Sequence, residues 1–175
     1  MNAEERARRV RLLILDVDGV LTDGGLYVDA QGHVSKRFNV QDGLGIKMAQ
    51  TVGLEFAIIT GLDSPAVAVR AKELGITEYH PGQVKKAPVI REICRSRELD
   101  LSQLAYLGDD WVDAAPLRMV GLPMAVANAQ PEIKELAIWT SQASGGHGAA
   151  REAIRFILTA QGTYEPLWRQ WLNDE

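Results

Sequence analysis

The stretch that decides the fold reads ILDVDGVLTDG and covers residues 14–24. It follows on from the compact apolar run RLLILD, which is short enough for a buried strand. Asp16 and Asp18 close this run, and in an extended chain their side chains leave the same side of it. Acidic, glycine-rich segments are usually solvated turns, so other parts of the chain must indicate whether this one is a reactive site.

Strand and helix patterns alternate along the rest of the chain with short links. Predicted strands after the first lie in LEFAIIT, ITEYH, QLAYLGDD, LPMAVA and IWTSQ. Among the helical patterns between them, Leu44, Met48 and Val52 form a stripe, and Ser64 is a candidate N-cap. This alternation predicts an α/β fold: a Rossmann-like three-layer sandwich with a mainly parallel sheet.

The chain of 175 residues contains no linker or internal repeat, which predicts a single domain over residues 1–175. Residues 1–10 contain the charged segment EERARRVR and are expected to be a solvated leader. Residues 25–39 predict a small β-hairpin and no large cap domain. In the tail, residues 163–175, a stripe at helical spacing is expected to dock on the core or on another subunit. That stripe consists of Tyr164, Leu167, Trp168, Trp171 and Leu172.

Composition excludes several classes of protein. A net charge of −4 and a pI near 5.4 argue against broad binding of nucleic acid. No apolar run approaches the roughly 18 residues of a membrane helix. Cys94 is the single cysteine, so an intrachain disulfide is impossible and a reducing compartment is expected. We predict a soluble, cytoplasmic protein with no nucleic-acid or membrane partner.

Polar side chains follow the predicted strands at their carboxyl ends, where open parallel sheets bind ligands. They are Asp16 and Asp18 after the first strand, Thr60 after the second, Lys85 and Lys86 at the start of a helix, and Asp109, Asp110 and Asp113 after the fourth strand. Carboxylates held so close resist joint ionisation unless a cation lies between them, and hard oxygen ligands suit Mg²⁺. One cysteine and three histidines argue against zinc.

A magnesium site beside a hydroxyl and a lysine is suited to phosphoryl transfer, in which a carboxylate can act as the nucleophile. The sequence has no G-x-x-x-x-G-K-[ST] loop, which argues against a P-loop nucleotide enzyme. In order, DVDGVLTDG, ITG, a helix-opening lysine and GDDWVD resemble the four motifs of the haloacid dehalogenase-like phosphatases. The segments LTDGGLYVDAQGHVSKRFNVQDGLGIK and SGGHGAAREAI are similar to its capless branch, the 3-deoxy-D-manno-octulosonate 8-phosphate (KDO 8-phosphate) phosphatases.

This resemblance, which runs from about residue 11 to about residue 162, implies Mg²⁺-dependent hydrolysis of a small phosphorylated sugar acid through an aspartyl-phosphate, in lipopolysaccharide precursor synthesis. Asp16 would be the nucleophile, and Asp18 would protonate the leaving oxygen and then activate water. Mg²⁺ would bind Asp16, the backbone carbonyl of Asp18, and Asp109. Asp110 or Asp113 would support the metal through water or from the outer coordination sphere.

The remaining motif residues are also expected to bind the phosphate group. Thr60, with Gly61 beside it, would bind the phosphoryl oxygens. Lys86 would stabilise charge on the nucleophile and the phosphate, and the spacing after Gly82 favours it over Lys85. Lys85 is instead expected at a solvated helix start.

One position departs from the family pattern. Leu62 follows ITG, where members acting on eight-carbon sugars usually have Arg. Leucine cannot pair with the carboxylate of the sugar acid, so a usual specificity contact is missing here. KDO 8-phosphate is the first expectation for the substrate, and a nine-carbon sialic-acid-type 9-phosphate is the alternative. Arg70 and His147 are candidate substrate contacts, with a solvated role open for each.

The resemblance further implies a homotetramer in which the hairpins join subunits and neighbours close each other's sites. Leu26, Val28, Val34 and Phe38 would supply the apolar contacts. A hairpin folded on its own domain is the alternative. A non-catalytic oligomerisation or regulatory module is a second hypothesis for function, although the motif residues are retained. A receiver domain fits less well, because its phosphorylated Asp follows a later strand.

Overall fold

The computed structural model describes residues 1–172. Its strands are β1 (Leu12–Leu15), β2 (Tyr27–Val28), β3 (Val34–Ser35), β4 (Glu55–Ile59), β5 (Glu78–His80), β6 (Leu104–Gly108), β7 (Leu122–Ala125) and β8 (Trp139–Thr140). Its helices are α1 (Ala3–Ala7), α2 (Val40–Thr51), α3 (Pro65–Glu73), α4 (Ala87–Arg97), α5 (Ala114–Met119), α6 (Pro131–Leu136), α7 (Ala149–Ala160) and α8 (Tyr164–Leu172). Short 3₁₀ turns lie at Leu101–Gln103 and Trp111–Asp113. Residues 173–175 of the expected tail lie outside the described residues.

Six strands form one sheet in the order β5-β4-β1-β6-β7-β8, and every neighbouring pair is parallel. All four residues of β1 are fully buried, as expected for a parallel strand covered on both faces. Helices α1, α2 and α7 pack together, and helices α4, α5 and α6 pack together. The predicted α/β sandwich is therefore confirmed, and so is the small antiparallel hairpin of β2 and β3.

The amino-terminal segment differs from the solvated leader that its charges predict. Asn2 and Glu5 form a reciprocal capping box that starts helix α1. Ala7 and Val10 are buried, and the guanidinium of Arg6 donates to the carbonyl of Gly121 at 2.9 Å. The expectation was wrong for the apolar residues and Arg6, which pack on the core, whereas the other charged side chains of the segment are exposed: Glu4, Glu5, Arg8 and Arg9.

Helix α2 turns a different side to the core than its apolar stripe predicts. Leu44 is exposed, whereas Gly45, Ile46 and Ala49 are buried. Small residues bring the backbone of α2 close to α7, which a leucine stripe would prevent. Leu44 and Met48 instead line a shallow groove with residues of α8: Tyr164, Leu167, Trp168 and Trp171.

The tail forms the expected helix, but only part of its apolar stripe is covered. Leu167 is buried, whereas Trp168, Trp171 and Leu172 are exposed. Ser64 occupies the N-cap position of α3 without a side-chain capping hydrogen bond. Among residues 1–172, no helix has the length and apolar character needed to cross a membrane.

Candidate active site

The turn after β1 forms one part of the rim at the carboxyl ends of the strands. Asp16 is 5% exposed, and its backbone N–H donates to the carbonyl of Leu107 in β6 at 3.2 Å. The buried hydroxyl of Thr22 donates to the carbonyl of Val17 and accepts from the N–H of Gly19. These bonds hold the turn in place behind the nucleophile candidate.

A buried ammonium group joins two carboxylates beside this turn. Lys86 immediately precedes α4, and its Nζ lies 2.9 Å from Asp16 Oδ1 and 2.7 Å from Asp113 Oδ1. The same Nζ donates to the hydroxyl of Tyr106 at 3.0 Å. An ammonium group has three N–H donors, so these three oxygens satisfy it. Burial lowers the pKa of Lys86, but the charges of Asp16 and then Asp113 outweigh it and the net pKa is raised.

Asp113 is fully buried and both of its oxygens accept hydrogen bonds. Oδ1 accepts from Lys86 and, at 2.6 Å, from the hydroxyl of Tyr106. Oδ2 accepts from the backbone N–H of Asp109 at 2.9 Å and of Asp110 at 3.4 Å. Asp113 therefore ties the loop after β6 to the lysine. Burial, with the charge of Asp113 next, raises the pKa of Tyr106 well above its ordinary value, which keeps its hydroxyl protonated.

Asp109 faces Asp16 across the rim. Asp16, Asp109 and Asp113 each contribute one carboxylate oxygen to a group in which all three oxygens lie within 4.8 Å of one another. Asp109 Oδ1 is buried and has no hydrogen-bond partner among the described residues. A Cβ on Gly19, whose φ is +86°, would lie 2.0 Å from Asp109 Oδ2, so only glycine permits this approach.

The two facing carboxyl groups have raised pKa values. Burial, followed by the charge of Asp113, raises the pKa of Asp16 to about 7. Burial, followed by the charge of Asp16, raises the pKa of Asp109 to about 8. A divalent cation between them would favour both ionised forms, because opposite charge lowers a carboxyl pKa. The unpartnered oxygen and the hard ligands fit the Mg²⁺ that the acid pattern predicts.

Asp18 pairs with a different lysine from the one that contacts Asp16. Its carboxylate is 30% exposed and forms an ion pair through Oδ1 with Nζ of Lys36, whose side chain is only 2% exposed. Lys36 directly follows strand β3 of the hairpin. The two carboxylates of the Asp-x-Asp pair therefore contact different lysines.

Thr60 lies at the expected place, directly after β4, and is buried. Its carbonyl accepts from the N–H of Gln83, and its N–H donates to His80, which joins the ends of β4 and β5. Gly61 is half-buried, and a Cβ added to it would come no closer than 3.9 Å to the side chain of Val84. Leu62 is 54% exposed at this rim.

Several other candidate side chains are exposed or contact groups outside the acidic cluster. Arg70 pairs with Glu73 at 2.9 Å and donates to the carbonyl of Asn39 at 3.4 Å, beside the hairpin base. His147 is exposed, with Nδ1 2.9 Å from the carbonyl of Gly145. Lys85 is exposed, as expected of a solvated helix start. Asp110 is also exposed, and its Oδ1 accepts from the N–H of Trp111 at 2.7 Å.

The glycine loop before α7 is packed rather than free. A Cβ on Gly145 would lie 1.7 Å from the carbonyl oxygen of Gly19, so this loop presses on the turn after β1. The N–H of Gly146 donates to Val20, and its carbonyl accepts from Arg37 at 2.9 Å. The loop thus joins the turn after β1 to the hairpin base.

Sequence reasoning missed Tyr106 and Lys36. Tyr106 had a local signal, since it is a lone hydroxyl group in the aliphatic strand that leads to Asp109. Lys36 had none, because a charged residue in a hairpin is usually solvated.

Known proteins are similar to this chain over most of its length. Residues 63–152 match the family described as haloacid dehalogenase-like hydrolase. The chain is 42% identical over 161 residues to the KDO 8-phosphate phosphatase of Yersinia pestis, covering 92% of this chain and 86% of that protein. The chain belongs to the KDO 8-phosphate phosphatase family.

Solved structures of this family share the fold. The enzyme from Moraxella catarrhalis, in complex with magnesium, phosphate and KDO, superposes with a TM-score of 0.94 at 34% identity, covering 97% of both chains. The cobalt-bound phosphatase of Haemophilus influenzae superposes with a TM-score of 0.88 at 38% identity, covering 91% of this chain and 93% of that one.

Proposed function

We propose that this protein is a Mg²⁺-dependent phosphatase that hydrolyses KDO 8-phosphate to KDO and phosphate. The observation that carries the proposal is the buried Asp16–Lys86 ion pair, with Asp109 facing it, in a chain of this family. The resemblance also supports a cytoplasmic role in supplying KDO for lipopolysaccharide. The continuous buried cluster from Ala7 to Leu167 supports one domain.

In the proposed reaction Asp16 attacks phosphorus and the bond to the sugar oxygen breaks. Asp18 gives its proton to that oxygen, and then takes a proton from the water that hydrolyses the aspartyl-phosphate. Lys86 neutralises charge on Asp16, because its Nζ already contacts Oδ1. Thr60 and Gly61 follow β4, which adjoins β1, and would contact the phosphoryl oxygens.

Asp16, Asp109 and the carbonyl of Asp18 would hold the metal. When bound, Mg²⁺ would neutralise charge on the phosphoryl oxygens and orient the substrate. Asp113 belongs to the same acidic group, but hydrogen bonds occupy both of its oxygens. We therefore assign Asp113 to holding Lys86. Asp110, which is exposed and caps the turn at Trp111, would act on the metal only through water.

The test is a comparison of kcat/KM across phosphate esters with Mg²⁺ present. The panel holds KDO 8-phosphate, a nine-carbon sugar-acid 9-phosphate, and simple sugar phosphates without a carboxylate. We expect KDO 8-phosphate to be preferred by at least about tenfold, which corresponds to about 1.4 kcal/mol of transition-state stabilisation. Equal rates on all esters would overturn the substrate, and no hydrolysis of any ester would overturn the activity.

Leu62 makes this panel informative. A leucine at the exposed rim cannot form an ion pair with the sugar carboxylate. Leu62→Arg is expected to lower KM for KDO 8-phosphate and to leave KM for a simple sugar phosphate unchanged. An equal change in both KM values would show that this position does not contact the carboxylate.

We also propose assembly into a homotetramer through the hairpin. Leu26, Tyr27, Val28 and Val34 are 44–64% exposed, which leaves an apolar surface on a two-stranded ribbon. Small isolated hairpins gain stability by packing against another surface. Size-exclusion chromatography with light scattering tests this, with Val28→Asp expected to dissociate the assembly and Val69→Asp, on exposed α3, to leave it intact. A monomeric unmodified protein would overturn it.

A further inference from the structure

The hairpin carries a cation into the active site. This cation is the ammonium group of Lys36, whose side chain is 2% exposed. A lysine is rarely buried unless it has a partner. The partner is Asp18 Oδ1. Ordering a long lysine side chain costs conformational entropy, and the ion pair with Asp18 is the contact that opposes this cost.

The backbone that presents Lys36 is itself anchored. Arg37 Nη1 donates to the carbonyl of Gly146 at 2.9 Å, and Asn39 Nδ2 donates to the same carbonyl at 3.3 Å. Phe38 forms an antiparallel bridge with Thr22 of the turn after β1. Residues 37–39 of the hairpin base are therefore joined to Thr22 and to Gly146, and Lys36 approaches Asp18 from a fixed direction.

We propose that Lys36 is the positioning residue of Asp18 and that the hairpin is thereby part of the catalytic apparatus of its own chain. This inference rests on the proposed phosphatase activity and adds a residue to it. The ammonium of Lys36 binds Oδ1 of Asp18, so Oδ2 is the oxygen that faces the leaving group and carries the proton.

The proton balance of both half-reactions permits this arrangement. In the first, Asp16 forms a bond to phosphorus, the bond from phosphorus to the sugar oxygen breaks, and the proton on Asp18 Oδ2 moves to that oxygen. In the second, water attacks phosphorus, its proton moves to Oδ2, and the bond to Asp16 breaks. A carboxyl group keeps an acceptor oxygen in both protonation states, so Lys36 donates to Oδ1 throughout and remains charged.

The experiment uses two substrates that differ in their need for a proton. A sugar alkoxide is a poor leaving group and needs protonation, whereas p-nitrophenolate leaves without it. Lys36→Met is compared with Lys36→Arg and with the control Lys72→Met, an exposed lysine of α3. The measurements are kcat and KM for KDO 8-phosphate, and the first-turnover burst of p-nitrophenolate from p-nitrophenyl phosphate.

Lys36→Met is expected to lower kcat on KDO 8-phosphate on the order of 10²-fold with little change in KM, the scale of a misplaced acid. Its burst of p-nitrophenolate should stay within about threefold of the unmodified protein. Lys36→Arg restores part of kcat, because it keeps the positive charge. Lys72→Met leaves both reactions unchanged.

Three results would overturn the inference. They are an unchanged kcat in Lys36→Met, a loss of equal size in both reactions, and a rise in KM with kcat retained. The second indicates general distortion of the site, and the third indicates a direct substrate contact. If the unmodified protein hydrolyses neither ester, it is the phosphatase activity that fails, and that outcome is read before any variant is compared.

Discussion

Lys86 Nζ lies 2.7 Å from Asp113 Oδ1, and neither side chain has any exposed surface. Each is a charge that would be costly to bury alone. Together they hold the ammonium next to Asp16 and leave Asp109 as the acid with an unpartnered oxygen. The acidic cluster therefore divides into one carboxylate that positions a lysine and two, Asp16 and Asp109, that would hold the proposed metal.

This division predicts different effects of two isosteric changes. Asp109→Asn should raise the Mg²⁺ concentration needed for half-maximal activity at least about tenfold, since it removes a charged ligand. Asp113→Asn should leave that concentration nearly unchanged and lower the free energy of unfolding by about 3–5 kcal/mol, because a buried ion pair is broken. Metal titrations and urea unfolding check both. Weaker Mg²⁺ binding in Asp113→Asn than in Asp109→Asn would contradict the assignment.

The nucleophile is tested by Asp16→Asn. An amide cannot form the acyl-phosphate, so we expect kcat to fall on the order of 10³-fold or more. Phosphate release from KDO 8-phosphate at saturating Mg²⁺ is the measurement. Asp100→Asn serves as the control, because this exposed residue lies at the N-cap of the 3₁₀ turn before β6, at the opposite end of that strand from Asp109. Undiminished Mg²⁺-dependent turnover in Asp16→Asn would exclude Asp16 as nucleophile.

Stability should depend on pH when Mg²⁺ is withheld. The pKa values of Asp16 and Asp109 rise to about 7 and about 8 on folding, from an ordinary value of 3.8. Between roughly pH 4 and 8 the folded protein therefore binds more protons than the unfolded chain, and the free energy of unfolding falls as pH rises. In EDTA, the thermal midpoint should be higher at pH 5.5 than at pH 8.

Added Mg²⁺ should raise that thermal midpoint more at pH 8 than at pH 5.5, because at pH 8 the metal has to displace fewer protons from Asp16 and Asp109. Asp109→Asn removes one of the two titrations, so its midpoint in EDTA should change less between the two pH values. Thermal unfolding followed by circular dichroism measures each case. Equal pH dependence in Asp109→Asn and the unmodified protein would argue against the raised pKa of Asp109.

Tyr106→Phe isolates the hydroxyl that Lys86 and Asp113 share. The change keeps the ring volume and removes a donor to Asp113 and an acceptor for Lys86. We expect unfolding free energy to fall by about 1–3 kcal/mol, because buried charged groups lose a partner. Tyr27→Phe, on the exposed hairpin, should change it by no more than about 0.5 kcal/mol. Equal urea midpoints for the two variants would refute this.

Gly145→Ala should displace the turn after β1, which contains Gly19. The added Cβ would lie 1.7 Å from the Gly19 carbonyl oxygen, so the backbone must move. Gly121→Ala is a matched control, since its Cβ would meet the backbone of Ser102 at 2.5 Å, at the amino-terminal side of β7. Both should lose stability, but only Gly145→Ala should lose kcat in the fully folded protein at low temperature. A retained kcat in Gly145→Ala would show that the loop does not position the turn.

Much of the fold follows from local patterns. The buried run of β1 and the alternation of strands with helices predicted the parallel sheet, because periodicity and turn residues are local properties. The same reasoning placed Asp16, Thr60 and Asp109 at strand ends that adjoin in the sheet. It failed for the stripe of α2 and for residues 1–10, where packing against α7 and the core decides which side is buried.

The sequence by itself determined the order of strands and helices, the acids that end the strands, and the resemblance to a phosphatase family. Only the tertiary structure decided which charges meet. Lys36 reaches Asp18 across 18 positions, and Lys86 reaches Asp113 across 27. Such pairs follow from how the hairpin and the strand ends pack. Solvation and burial of a charge depend on neighbours distant in the chain, and no local pattern specifies those neighbours.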